Sequence, residues 1–197
     1  MKTLQTLTLV IMIGLLAAQP SFAETMTYTV SPGEPNEVVF VSRAVGETFD
    51  GRTNHVEGTF SCDPDDLSKP VSGSVSIDVK TLDTGIGLRN NHMFKNHLHP
   101  DEFPQMTFEL TGLSGNPAML KTGETATMKA NGQFTCHGET NDIEPMLEVT
   151  RNPDSSLTVT AEWTVNLNDY DIERPQFLIV KLAEDQEVSA TFTAMPQ

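Results

Sequence analysis

Apolar residues recur at about every second position in seven separate stretches of the chain: 37–42, 55–62, 71–79, 107–110, 127–136, 157–165 and 188–194. A period of two is the signature of a strand that buries one face. Clusters rich in Pro, Asn, Asp and Gly separate them at 31–36, 63–66, 114–117 and 151–155, spaced as antiparallel hairpins require. About eight strands of this kind have edges to protect, and closing the sheet on itself removes the edges. The pattern therefore predicts an all-β fold, a single antiparallel eight-stranded barrel. Small residues (Gly58, Gly73, Ala130, Gly132) fall on the predicted inward face among Val56, Phe60, Val75, Ile77, Val79 and Phe134. Small inward residues leave room, and eight strands is a size at which a barrel can hold one small ligand. A filled β-sandwich fits the same alternation.

One segment, 84–104, breaks the strand rhythm. Residues 88–98 contain neither Gly nor Pro, and Leu88 and His92, like Phe94 and Leu98, stand four apart. A short helix at one end of the barrel is expected there, with Asp83 or Thr84 as its N-terminal cap. It is also the segment expected to gate that end.

The first 23 residues read as an export leader: Lys2 supplies the basic start, 7–18 is almost wholly apolar, and Ser21 and Ala23 suit a cleavage site. The mature domain then runs over 24–197, in the periplasm or outside the cell. The apolar run is too short to span a bilayer as a helix, and stable membrane insertion is not expected. Loss of Lys2 leaves 11 basic against 27 acidic side chains, a formal charge of −16. Such a surface repels phosphate backbones and anionic headgroups, which argues against nucleic acid as a partner.

Three of the five histidines, His92, His97 and His99, fall within eight residues. On a regular helix His92 and His97 point to different faces, and His99, before Pro100, lies past the helix end, so the spacing matches no known set of metal ligands. His97 and His99 read most simply as exposed polar residues. Cys136 and His137 are adjacent and would face opposite sides of a strand, which separates a nucleophile from its base. Cys62 and Cys136 each follow an inward phenylalanine, Phe60 and Phe134, by two residues, so a disulfide between them near one end of the barrel is expected in an oxidising compartment. Arg89 has two readings: a fork of donors for an anionic head, assisted by Lys95, or a brace to local carboxylates such as Asp83.

Several motifs in order resemble the YceI family. Asp83-Thr84-Gly85, Arg89, His92-Met93, Leu98 and then Phe103-Pro104 through Phe108 are similar to its signature. The element from Gly132 to Thr140 and the strand from Ala161 to Ile172 resemble two more of its blocks, and Tyr28 opens a similar first strand. The resemblance implies an exported lipocalin-like barrel whose interior takes up a polyisoprenoid or similar long-chain lipid, such as a polyprenyl phosphate or a quinone tail, with no enzymatic chemistry, cofactor or metal. Three positions depart from the family: Leu167 stands for an arginine, Asp171 for a glycine and Cys136 for an aliphatic residue. Loss of that arginine weakens the expectation of a phosphate head. The ligand-binding residues expected are Phe60, Val75, Ile77, Phe108, Phe134, Trp163 and Val165 along the wall, with Arg89, His92 and Met93 at the mouth. The alternative is a metal- or redox-responsive protein that uses Cys62, Cys136 and the histidines.

Overall fold

The computed structural model describes residues 25–115, 119–177 and 180–197. The expected leader lies outside them. Among the described residues the strands are β1 (Met26–Val30), β2 (Glu37–Ala44), β3 (Glu47–Thr53), β4 (Val56–Cys62), β5 (Ser72–Asp78), β6 (Gln105–Ser114), β7 (Thr125–Cys136), β8 (Glu139–Ile143), β9 (Met146–Arg151), β10 (Leu157–Asn166), β11 (Gln176–Phe177), β12 (Val180–Lys181) and β13 (Asp185–Pro196). Eight of them, in the order β1-β4-β5-β6-β7-β9-β10-β13, are antiparallel neighbours in a ring that closes where Thr29 of β1 stands opposite Met195 of β13. The fold is thus the closed barrel, not the sandwich.

Two places depart from a plain meander. β13 pairs with β1 near its C-terminal end but with β2 through its N-terminal half, so the β2–β3 hairpin extends from the barrel wall. Where β13 changes partner, the Thr193 N–H donates to Asn36 Oδ1 at 2.9 Å and Asn36 Nδ2 donates to the Ser31 carbonyl at 2.7 Å. A buried side-chain amide there replaces a missing ladder bond, as buried backbone groups require. β7 is shared in the same way, its first half with β9 and its second half with β8. The β7–β8 turn puts His137 and Gly138 both at positive φ, the requirement of a tight two-residue hairpin.

The two ends of the barrel differ. At the base, Leu67, Val71 and Leu120 pack with Tyr28 into the main core, and all four are buried. The other end is covered by two segments. The first, 79–104, contains α1 (Gly87–Met93), shorter than the helix expected over 88–98. A π-helical turn, Phe94–Leu98, follows it and ends at His99, whose φ of 43° stops the run. No side chain caps α1 at its start. Asp83 and Thr84 instead engage Asn90: Thr84 N and Oγ1 both donate to Asn90 Oδ1, at 2.9 and 2.7 Å, and Asn90 Nδ2 donates to Asp83 Oδ1 at 2.7 Å. The second covering segment, 167–184, was not anticipated; it carries the small β11–β12 hairpin.

The register overturns the expected disulfide. Val56 lies opposite Ile77, Ile77 opposite Met106, and Phe108 opposite Phe134, which places Cys136 level with Val56 at the lid end. Cys62 is six residues further along β4, roughly 20 Å away at strand rise. The two cysteines belong to different core clusters and are free and buried. Both do face inward, but from opposite ends, far beyond the Cα separation of about 7 Å that a disulfide tolerates. Burial pushes the Cys62 thiol up to about 11, with help from the nearby Asp63 carboxylate, and the Cys136 thiol up to about 12. Thiol alkylation of the native protein is therefore expected to be negligible at neutral pH, and unfolding should release two thiols without reductant. Intact-mass analysis after alkylation, with and without denaturant, checks this; a mass two units low with no alkylatable thiol contradicts it.

Candidate ligand-binding cavity

Inward side chains of the eight strands are too few and too small to fill the barrel. A cavity of about 930 Å3 remains, bounded by both core clusters and by the two lid segments. This lies near the top of the 300–1,000 Å3 range of small-molecule sites. Its wall is overwhelmingly apolar. Each residue expected along the wall is there: Phe60 on β4, Val75 and Ile77 on β5, Phe108 on β6, Phe134 on β7, Trp163 and Val165 on β10. Glycines set the bore on this side, since a Cβ at Gly132 would run into the Phe108 ring and one at Gly73 into Phe60. Phe134 meets Trp163 and Tyr170 edge-on, at ring-centroid distances of 5.7 and 5.6 Å, and braces the wall at the lid end. The strand alternation did not identify the contributions of β2, β9 and the 167–184 segment: Phe40 and Ser42, Leu147 and Val149, and Leu167, Ile172 and Leu182 also line the cavity.

Arg89, His92 and Met93 line the cavity from α1, at its mouth. Arg89 is a brace, although not to Asp83. Its Nε donates to Thr84 Oγ1 at 3.0 Å, one terminal nitrogen to the Thr84 carbonyl at 3.0 Å and the other to Glu47 Oε1 at 3.1 Å, and the guanidinium lies 4.0 Å from the centre of the Phe49 ring. The helix is thereby tied to β3. Two backbone hydrogen bonds between Arg52 and Asp83 continue the same seam. Around the opening, Val45 is 89% exposed, Leu88 82% and Ile86 52%, so the rim of the cavity is apolar as well.

The histidines are arranged differently from the expectation. The π-helical turn adds residues to one turn of helix, so His92 and His97, five apart, come to the same side with their ring centroids 5.1 Å apart. His97 is not an exposed residue on a connection; it is 7% exposed and lines the cavity. Its Nδ1 is 2.8 Å from the Glu173 carbonyl, to which it must donate, and this bond joins the two lid segments. Burial, more than any other influence, holds His97 below the usual imidazole pKa. His99 turns away and meets His137, Nδ1 to Nε2 at 2.9 Å, while His137 Nδ1 faces the Tyr170 carbonyl at 3.2 Å. The five histidines thus yield two separate pairs, and among the described residues no group of three or more His, Cys, Asp or Glu side chains is arranged to hold a metal ion.

A closed antiparallel barrel with one plugged end, one lidded end and a large apolar interior defines the lipocalin-like architecture. The sequence from 28 to 194 matches the family model of the YceI-like domain, and the chain belongs to that family. Among solved structures it is similar to a polyisoprenoid binding domain from Saccharophagus degradans implicated in plant cell wall breakdown, at 16% identity and a TM-score of 0.70, covering 88% of this chain and all of that one. It is also similar to Burkholderia cenocepacia BcnA (19% identity, TM-score 0.65, 81% of this chain and 96% of that one). A third similar structure is the Campylobacter jejuni YceI protein (16% identity, TM-score 0.57, 75% and 84%). No curated protein is matched by the sequence.

Proposed function

We propose that this protein is an exported, periplasmic or secreted, binding protein that holds a polyisoprenoid or similar long-chain lipid inside the barrel. The observation that carries this reading is the apolar cavity of about 930 Å3 opening through an apolar rim. The wall residues Phe60, Val75, Ile77, Phe108, Phe134, Trp163 and Val165 contact the chain, and Arg89, His92 and Met93 frame its entry. Binding is burial: about 300 Å2 of apolar chain taken out of water contributes about 7 kcal/mol, before the cost of ordering the lipid is subtracted. No attraction between bulk charges is needed, which suits a protein as acidic as this one. Similarity to a domain described as polyisoprenoid binding supports the reading, as does the leader-like start of the sequence. The alternative redox reading loses its support because Cys62 and Cys136 sit at opposite ends of the barrel.

Trp163 is the single tryptophan and lines the cavity, so it reports occupancy directly. Organic extraction of the protein purified from its exported fraction should release a long-chain lipid detectable by mass spectrometry. Geranylgeraniol added to the delipidated protein should then change the Trp163 emission saturably. Absence of both signals would overturn the proposal.

A further inference from the structure

Three aliphatic side chains stand in water at the mouth of the cavity. Among the described residues Val45, Ile86 and Leu88 are the exposed large aliphatic ones, and all three line the opening; the other exposed large hydrophobic residues, Met119, Met146 and Met195, do not line it. The three come from two separate places in the chain, the β2–β3 turn and the start of the first lid segment. Arg89, next to Leu88, bonds to Glu47, two residues from Val45, at 3.1 Å and stacks on Phe49, so the two tips are held side by side. No described segment packs over them. Gly46, Gly85 and Gly87 flank the three side chains, and a Cβ built at any of them would meet nothing within 4 Å beyond the adjoining chain. An apolar patch on the rim of a groove marks a surface that is covered when the protein works.

The charge at this patch selects the partner. The chain carries 27 acidic against 12 basic side chains, yet residues 44–46 and 85–88 contain no charge. Glu47 and Arg89 pair with each other, and Arg43 pairs with Glu187 at 2.7 Å. The Asp83 carboxylate accepts from the Gly85 N–H at 2.8 Å and from Asn90 Nδ2 at 2.7 Å, which holds it against the lid. A basic protein would find no anionic counterpart at the tips, and an anionic bilayer would be repelled by the rest of the molecule. A second copy seated on the same rim would bury three side chains from each partner, well below the roughly 800 Å2 a side of a standard interface. A zwitterionic bilayer meets every condition. The rim is also continuous with the apolar cavity wall, so a lipid chain passing through it goes from hydrocarbon to wall without crossing water.

We propose that the mouth of the barrel docks transiently on a neutral bilayer, with Val45, Ile86 and Leu88 dipping into the headgroup boundary, and that lipid enters and leaves during that contact. The inference rests on the lipid-binding reading above for what passes through the mouth. Three aliphatic side chains are too few for lasting attachment, since even one myristoyl chain gives only marginal, reversible binding. The protein therefore detaches after each exchange.

Two measurements on the full-length mature protein test this. In the first, protein loaded with geranylgeraniol is mixed with phosphatidylcholine vesicles and the transfer rate is read from Trp163 emission. The rate should rise in proportion to vesicle concentration. It should be lower into vesicles of equal parts phosphatidylcholine and phosphatidylglycerol, with added salt narrowing the gap. Val45→Ser combined with Leu88→Ser, both at exposed positions, should keep the melting temperature and lower the slope against vesicle concentration at least about tenfold. In the second, an environment-sensitive dye is attached to Leu88→Cys or, at the base, to the exposed Lys121→Cys; Cys62 and Cys136 are buried and do not compete for the label. Phosphatidylcholine vesicles should blue-shift the dye at 88 and leave the dye at 121 unchanged. A transfer rate independent of vesicle concentration, a slope that survives the double variant, faster transfer to the anionic vesicles, or equal shifts at 88 and 121 would each overturn the inference while the lipid reading stood. A dye at 88 that shifts with protein concentration in the absence of vesicles would mean that a second copy covers the rim, and would also overturn it. If geranylgeraniol did not load at all, the lipid reading would fall, and the dye measurement would decide the docking by itself.

Discussion

Phe134→Asp is expected to abolish lipid uptake, with affinity for geranylgeraniol lowered at least 100-fold. The Phe134 side chain is buried, lines the cavity and packs edge-on against Trp163 and Tyr170. A carboxylate in its place enters a wall whose formally charged groups, among the described residues, are the mutually paired Glu47 and Arg89. Either it stays ionised and draws water into the path of the chain, or it takes up a proton at a cost; an unpaired buried charge is worth several kcal/mol either way. Folding suffers too, since removing a buried aromatic ring typically costs about 3–5 kcal/mol. Phe134→Leu separates the two effects. It keeps the wall apolar and loses only the ring contacts, so its melting temperature should fall while lipid binding stays within severalfold of wild type. Ala161→Asp places the same charge on the wall from β10 without removing a ring. Calorimetric titration of variants with cooperative melts decides the matter: a folded Phe134→Asp or Ala161→Asp that binds like wild type would mean the chain does not occupy the barrel.

The wall was readable from the sequence because strand alternation reports which face is inward without knowing the neighbour. On β4, β5, β7 and β10 the apolar residues predicted inward do line the cavity, except that Val79, expected on the same face as Val75 and Ile77, falls in a short 3-10 turn just past β5 and is buried outside the wall. β3 escaped notice because Glu47–Thr53 has Phe49 as its one large apolar residue and so no apolar alternation, and β9 because only Leu147 and Val149 mark it. The neighbour relations were not readable. Two inward cysteines look like a disulfide until the register puts Cys62 at the base and Cys136 under the lid, because an odd number of antiparallel steps separates β4 from β7. The helix failed for a related reason. Periodicity of 3.6 puts His92 and His97 on different faces, and a single π-helical turn, invisible in a propensity pattern, brings them together. The second lid segment has no periodic signal of its own; it is held in place by His97 reaching the Glu173 carbonyl and by the Leu167, Tyr170 and Ile172 side chains of the smaller core cluster.

Arg89→Ala is expected to speed lipid release about tenfold or more, with little dependence on the head group. Arg89 fastens the first lid segment to the β2–β3 hairpin through its hydrogen bond to Glu47 and its stack on Phe49, while its two bonds to Thr84, inside the lid segment, hold the guanidinium in place. The bond to Glu47, a residue largely exposed to solvent, contributes little, as surface pairs do. The cation–π contact to Phe49 contributes about 1–2 kcal/mol, and the Thr84 bonds preserve the geometry it needs. That energy stabilises the closed lid locally and not the barrel, whose ring of strand pairings does not involve Arg89. The melting temperature should therefore move by only a few degrees, while the population of the open lid rises about tenfold. Arg89→Lys keeps the charge but cannot reproduce the planar fork, so it should fall between the two. Stopped-flow transfer of geranylgeraniol from the protein to neutral phosphatidylcholine vesicles, followed by Trp163 emission, measures the rate. An anion-binding Arg89 would give a different pattern, with phosphate-headed ligands weakened selectively and neutral ones released at the wild-type rate; that outcome would show that the guanidinium serves the ligand and not the lid.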